Sequence, residues 1–328
     1  MRFLLTILLL TLGFSQDKTI ELSNVLDGTF RTSGIGSYNW VNGEDAYYFS
    51  KKDSIGMNFF KYNIASDDTT ETFSIDKEKI NQFSYSFSTD QTKLLLKTNT
   101  IKQWRHSSYA TYHIYDIQTK NLDPVSNDAD RLRNVKFSPN SKYVAYVRED
   151  NNLYLYTLET REESQLTFDG SDTILNGHFG WVYEEEFGSY DAYRWSPNSQ
   201  YIAFFREDQS MVKKYPLVDY ETKYPTIKYI YYPKSGEDNP EVSIGLLDII
   251  NQTSDIRNLP EDAYYTPDMV WQQGTNNLFI GALNRKQNNW MLYRHDLDLN
   301  QNTLILNDTS DTWIDNDDFL IPENLGSW

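Results

Sequence analysis

The sequence predicts an all-β fold, a β-propeller of four-stranded blades, and three observations predict it. One strand-turn-strand phrase is restated along the chain, its copies recur at a blade-sized interval, and the residues flanking each turn favour strands. The fullest copy runs Phe137-Ser138-Pro139-Asn140, then Tyr143-Val144-Ala145-Tyr146-Val147, then Leu153-Tyr154-Leu155-Tyr156. Proline fixes φ at the turn, the β-branched and aromatic runs on each side suit a pleated surface, and the asparagine is expected to take the unusual backbone angle.

Taken in order, the copies share this logic. The first opens at Trp40, turns at Asn42-Gly43 and continues into Tyr47-Tyr48-Phe49. The second runs from Phe87-Ser88-Thr89-Asp90 into Leu94-Leu95-Leu96, and the fourth from Trp195-Ser196-Pro197-Asn198 into Tyr201-Ile202-Ala203-Phe204-Phe205. The fifth leads from Trp271 through Gly274-Thr275-Asn276 into Leu278-Phe279-Ile280. The leading aromatics at 40, 87, 137, 195 and 271 are 47, 50, 58 and 76 residues apart. Four short strands with their turns need about 40 to 50 residues, so each interval holds one blade. A stacked sandwich would also be all-β, but it does not predict one phrase at a near-constant interval. With Ile314 to Trp328 opening a further unit, the chain accounts for about five to six blades, and residues 16–328 read as one propeller domain.

The two long intervals exceed a blade, so insertions are expected at about 168–194 and 209–245. Propeller insertions map to loops, and loops carry function. The first contains Gly177-His178-Phe179-Gly180-Trp181-Val182-Tyr183-Glu184-Glu185-Glu186-Phe187. The second, an arm from Met211 to Val242, has prolines at 216, 225, 233 and 240, which allow extended strands and no long helix.

The ends and the composition narrow the function classes. Arg2 followed by an apolar run from Phe3 to Leu12, with Gly13-Phe14-Ser15 before Gln16, reads as a secretory signal over residues 1–15. The apolar stretch is far short of the roughly 20 residues that span a bilayer. Export to a periplasmic or extracellular location follows as an expectation. Lys and Arg number 30 against 47 Asp and Glu, a formal net charge of −17, and no basic cluster is visible. A nucleic-acid partner is therefore excluded as an expectation. With no cysteine, a disulfide framework, a thiolate nucleophile and Cys-ligated metals are excluded.

Most catalytic signatures fail on residue type. No Gly-x-Ser-x-Gly elbow occurs, and His106, His113, His178 and His295 form no ligand set, so neither a metal nor a cofactor is expected. Asp311 to Asp318 is acid-rich but lacks the glycine and terminal glutamate of a calcium loop, and reads as solvated. Glu184-Glu185-Glu186 admits two readings: a solvated charge run, or carboxylates on a short helical turn, partly screened by Trp181, Tyr183 and Phe187, that accept a cation. An α-amino group, with a reference pKa of about 7.7 to 8.0, would stay protonated beside them. Arg105, in Gln103-Trp104-Arg105-His106, either stacks on Trp104 or reaches toward those carboxylates or a carbonyl.

Three segments carry a family resemblance: Lys102 to Ser107; Trp181 to Glu186 followed by Trp195-Ser196-Pro197-Asn198; and Tyr232 to Val242. From roughly Gly28 to Trp313 the chain resembles the N-terminal propeller of the dipeptidyl peptidase IV group of the prolyl oligopeptidase family, in its bacterial form. The resemblance implies an eight-bladed propeller and a serine exopeptidase that releases N-terminal dipeptides with proline or alanine second. It implies that Glu185 and Glu186 hold the ammonium of a peptide with a free N-terminus, that Arg105 reaches the first substrate carbonyl, and that Trp181, Tyr183 and Glu184 support them. It also implies a homodimer formed through the 211–242 arm. The family's C-terminal α/β-hydrolase domain, with its Ser-Asp-His triad, has no counterpart in these 328 residues, so no catalytic residue is expected here and the chain alone is expected to be inactive. A non-catalytic propeller that captures peptide N-termini with the same glutamates is the competing expectation.

Overall fold

The computed structural model describes residues 20–31, 37–257, 259–260 and 262–315. The expected signal at 1–15 and most of the expected sixth unit lie outside the described residues. A short helix, α1 (Leu22–Leu26), precedes five antiparallel four-stranded sheets that follow one another along the chain. Blade one is β1 (Tyr38–Trp40), β2 (Ala46–Lys52), β3 (Gly56–Asn63) and β4 (Asp68–Asp76). Blade two is β5 (Ser84–Phe87), β6 (Lys93–Lys102), β7 (Ser108–Asp116) and β8 (Leu122–Pro124). Blade three is β9 (Arg133–Phe137), β10 (Tyr143–Val147), β11 (Leu153–Thr157) and β12 (Glu162–Gln165).

Blade four is interrupted twice. It begins with β13 (Ile174–Asn176), breaks for helix α2 (Trp181–Phe187), and resumes as β14 (Tyr193–Trp195) beside β15 (Tyr201–Asp208). A protruding hairpin, β16 (Lys214–Asp219) with β17 (Thr226–Tyr231), comes before β18 (Glu241–Asp248) and β19 (Thr253–Arg257). Blade five is β20 (Tyr265–Trp271), β21 (Asn277–Leu283), β22 (Asn289–Asp296) and β23 (Gln301–Thr309).

The strands of inner blades are unbroken apolar runs because both of their faces are buried. On β6, Leu94 and Leu96 pack toward blade one with Phe59 and Ile75, while Leu95 between them packs toward blade three with Val144 and Tyr146. On β10 the alternation repeats: Val144 and Tyr146 face blade two, whereas Ala145 and Val147 meet Ile202 and Phe204 of blade four. Period-two alternation thus serves two interfaces at once. Among the described residues no apolar cluster joins blade five to blade one, so the propeller is incomplete, with five blades.

Every leading aromatic ends the first strand of its blade: Trp40, Phe87, Phe137, Trp195 and Trp271. The turn chemistry corrects one expectation. The left-handed angle falls on Ser141 (φ 56°) and Ser199 (φ 61°), not on Asn140 or Asn198. The asparagines instead cap the turn. Ser138 Oγ donates to Asn140 Oδ1 and itself accepts from Tyr143 N, and Ser196 with Asn198 and Tyr201 repeats the pattern. The displaced serines then tie neighbouring blades together: Ser141 Oγ accepts from Asp90 N at 3.0 Å and Ser199 Oγ from Asn140 N at 2.9 Å.

Candidate functional site

The first insertion is an excursion from within a single edge strand. Ile174 to Asn176 pair with Asp208 to Arg206, and Tyr193 to Trp195 pair with Phe204 to Ile202, so β13 and β14 are two halves of the same line along β15. Between them the chain leaves at Gly177, builds α2 and returns through the His178 to Asp191 bridge. The strand segment is part of the blade, which narrows the expected 168–194 insertion to about sixteen residues on this register.

Helix α2 is held on three sides. Tyr183 is fully buried; it stacks on Phe179 at 4.3 Å and its hydroxyl accepts from Thr266 N at 3.3 Å. Gly188 ends the helix at φ 66°, a left-handed cap that suits glycine because it has no Cβ. At the start, Gly180 N donates to Glu207 Oε2 at 2.9 Å. Glu207 is completely buried, and that burial pushes its carboxyl up to about 7, opposed by the Gly180 hydrogen bond.

The three glutamates have three surroundings, since successive helical residues do not face one another. Glu184 is buried, and its Oε1 accepts from His106 N at 2.6 Å and Ser107 N at 2.9 Å, stapling α2 to the loop between β6 and β7. That staple delivers Arg105 to Glu185. Arg105 Nη2 donates to Glu185 Oε1 at 2.6 Å and Nε to Oε2 at 3.3 Å, a two-point pair between residues 80 apart in sequence. The hydrogen bond from Arg105 holds the Glu185 carboxyl below its ordinary value and raises the guanidinium in turn. Arg105 does not stack on Trp104; the cation over that ring is Lys228, 4.6 Å away.

Glu186, the next residue, lines a cleft of about 930 Å³ between α2, the arm and blade five. Trp181, tilted against Tyr232 with ring centroids 4.4 Å apart, and Phe187, packed on Tyr265, make its aromatic wall. Arg285, whose Nη1 donates to the Tyr265 hydroxyl at 2.9 Å, lines the same cleft. The structure therefore brings Arg105, Glu185 and Glu184 together directly and sets Glu186 on the same short helix beside Trp181. Sequence reasoning missed Glu207, Tyr232, Tyr265 and Arg285. Glu207 lies in the charged end of β15, between Arg206 and Asp208, so nothing in the sequence marks it as buried, and the others stand out only once the blades are adjacent.

Fold and site define a propeller that carries a short, acidic, aromatic-flanked helix, and comparison with known proteins places it. The model of the dipeptidyl peptidase IV N-terminal region matches residues 88–322. The chain belongs to that family. It is 32% identical to dipeptidyl peptidase 4 of Trichophyton tonsurans over 294 residues, covering 85% of this chain and 37% of that protein. The crystal structure of Porphyromonas gingivalis dipeptidyl peptidase 4 superposes with a TM-score of 0.83 at 30% identity, covering 92% of this chain and 44% of the other. A solved Bacteroides ovatus structure at 20% identity, TM-score 0.61, covers 86% of this chain and 39% of its own and shares the fold. The chain spans less than two fifths of the length of the curated relatives it matches.

Proposed function

We propose that this chain is the substrate-recognition propeller of an exported serine-type dipeptidyl peptidase that releases N-terminal dipeptides with proline or alanine second. Glu185 and Glu186 receive the ammonium of the peptide, and Arg105 donates to its first carbonyl. The serine, aspartate and histidine belong to an α/β-hydrolase domain of the same protein. The observation that carries the reading is the two-point Arg105–Glu185 pair, which orients the Glu185 carboxylate next to Glu186 in the chain and holds it below its ordinary value. Each carboxylate oxygen can accept more than one hydrogen bond, so Glu185 retains capacity for an ammonium while Arg105 stays in place.

The arm supports the homodimer that the family resemblance implies. Tyr220, Tyr224, Ile227 and Tyr229 are all exposed on the β16–β17 hairpin, an apolar surface suited to burial against a second copy. Pro216 is tolerated there because it lies in a two-stranded ribbon opposite Tyr229.

The test compares Glu185→Gln and Glu186→Gln in the intact protein on a chromogenic Gly-Pro substrate with a free amine. Both variants are expected to lose turnover efficiency by roughly ten- to a hundredfold while a small fluorophosphonate still labels the serine. Unchanged efficiency removes the assigned role; absence of both turnover and labelling in the parent protein favours a non-catalytic binding propeller.

A further inference from the structure

Beneath the arm, on the far side of Trp181 from the first cleft, lies a second cavity of about 220 Å³. The β6–β7 loop, the turn after β10, the α2 excursion and β17 enclose it, and Arg133 is its buried cation. Arg133 is 3% exposed, and its guanidinium lies 3.8 Å from the Tyr109 ring centroid. Its Nη1 donates to His178 Nδ1 at 3.0 Å, while Nε is buried with no hydrogen-bond partner. It forms no ion pair among the described residues, although the chain carries 47 acids. Arg148, the next arginine along the chain, is by contrast neutralised by Glu163. Burial draws the Arg133 guanidinium down to about 9, with Glu184 and Glu149 acting against that fall.

Neighbouring acids lend charge but no ion pair: Glu184 raises the guanidinium through space, while its Oε1 is taken by His106 N and Ser107 N. An arginine only donates, so His178 Nδ1 accepts and the ring is neutral, its Nε2–H donating to Asn151 Oδ1 at 2.8 Å. Nδ1 also lies 3.2 Å from Phe179 O, which would suit a protonated ring, but burial and the adjacent arginine hold His178 well below its usual value. Of the two acids that line the cavity, Glu149 is taken by Arg131 at 3.0 Å, and Asp172 by Lys214 and the Tyr231 hydroxyl, each at 2.7 Å. Lys228 also lines it, so three cations face two acids in a chain of net charge −17.

We propose that this cavity is a second ligand site, distinct from the Arg105–Glu185 pair, which binds a carboxylate on the Arg133 guanidinium with Lys228 at its edge. A guanidinium fork with an unused N–H matches a planar carboxylate, and Tyr109 and Trp104 hold Arg133 and Lys228 against their rings at the cavity wall. The volume admits a small organic acid or one Asp or Glu side chain.

Two probes separate the sources: acetate for a free acid, and N-acetyl-aspartate amide for a carboxyl carried on a peptide. The blocked amine of the second keeps it clear of Glu185 and Glu186, so the outcome is independent of the proposed peptidase function. At constant ionic strength either probe is expected to raise the melting temperature of the intact protein saturably, where sodium chloride and N-acetyl-asparagine amide do not. Response to acetate alone indicates a free acid, response to the amide a peptide-borne carboxyl, and both outcomes support the site. Arg133→Gln is expected to weaken the apparent affinity roughly tenfold or more, and Arg133→Lys to restore part of it. Should Arg133→Gln not fold, Lys228→Gln, at an exposed position, carries the same test with a several-fold loss. No saturable shift with either probe, or an affinity unchanged in the folded variants, overturns the proposal.

Discussion

Replacing Glu207 by glutamine isolates the energetic cost of the buried carboxyl under helix α2. Glu207 holds Gly180 N through Oε2, while Oε1 is buried without a partner. Burial lifts its carboxyl from 4.5 to about 7. Between those two values the folded protein keeps a proton that the unfolded chain has released, so stability falls as pH rises through that window and then levels off. At 1.36 kcal/mol for each pH unit, the full penalty is about 3 kcal/mol. Glutamine keeps an oxygen for Gly180 N and cannot ionise. The stability advantage of Glu207→Gln over the parent should therefore be small at pH 5 and larger at pH 8 by about 2 to 3 kcal/mol. Urea unfolding of both proteins at the two pH values reads this directly, because every other titrating group cancels in the difference. An advantage that does not change with pH would refute the buried, proton-holding carboxyl.

Four further outcomes follow from the same geometry. Glu184→Ala removes the acceptor for two backbone N–H groups and should destabilise the fold by about 2 to 4 kcal/mol in urea unfolding, with Glu184→Gln much milder. Gly180→Ala would place a Cβ 2.7 Å from Glu207 Oε1 and 3.1 Å from Gln209 Oε1, so a lowered melting temperature is expected, relieved when Glu207→Ala is combined with it. Tyr183→Phe loses the acceptor for Thr266 N and should cost about 1 kcal/mol in the same unfolding measurement, leaving the aromatic stack intact. On the proposed function, Arg105→Ala in the intact protein should raise KM more than it lowers kcat on a free-amine dipeptidyl substrate, since both glutamates assigned to the ammonium remain.

The blade phrase was legible because it is local: a strand end, a turn and the next strand declare themselves within twenty residues, and all five leading aromatics fall at the same structural point. The exact turn angle was not, since Asn140 and Ser141 are both compatible with a left-handed position and only the Ser138 to Asn140 hydrogen bond decides between them. The helix carrying the glutamates could be anticipated from a charged run between aromatics, yet the division of labour among Glu184, Glu185 and Glu186 could not. It is set by what lies across the gap, a loop 77 to 80 residues earlier in the chain. Arg133 was invisible for the same reason: its lack of an anion is a fact about its neighbours, not about its place in the sequence.

The contact between Arg105 and Glu185 also says where the site derives its shape. Arg105 belongs to the β6–β7 loop of blade two and Glu185 to the excursion from blade four, so the pair spans blade three without using it as a ligand. Blade three contributes spacing. Its β10 strand is packed on both faces, and the serine turns on either side tie it to its neighbours at 3.0 and 2.9 Å. A change in either interface of blade three should therefore shift the Arg105–Glu185 pair without touching it. Val144→Ala, which opens a void between blades two and three, and Ala145→Val, which crowds the interface with blade four, act on opposite faces of one strand. On the proposed function, both should raise KM of the intact protein for a free-amine substrate while leaving labelling of the proposed serine by a small fluorophosphonate unchanged. A KM unaltered in both variants would show that Arg105 and Glu185 are held by their own ion pair and by the Glu184 staple, and that the blades beneath do not set the geometry.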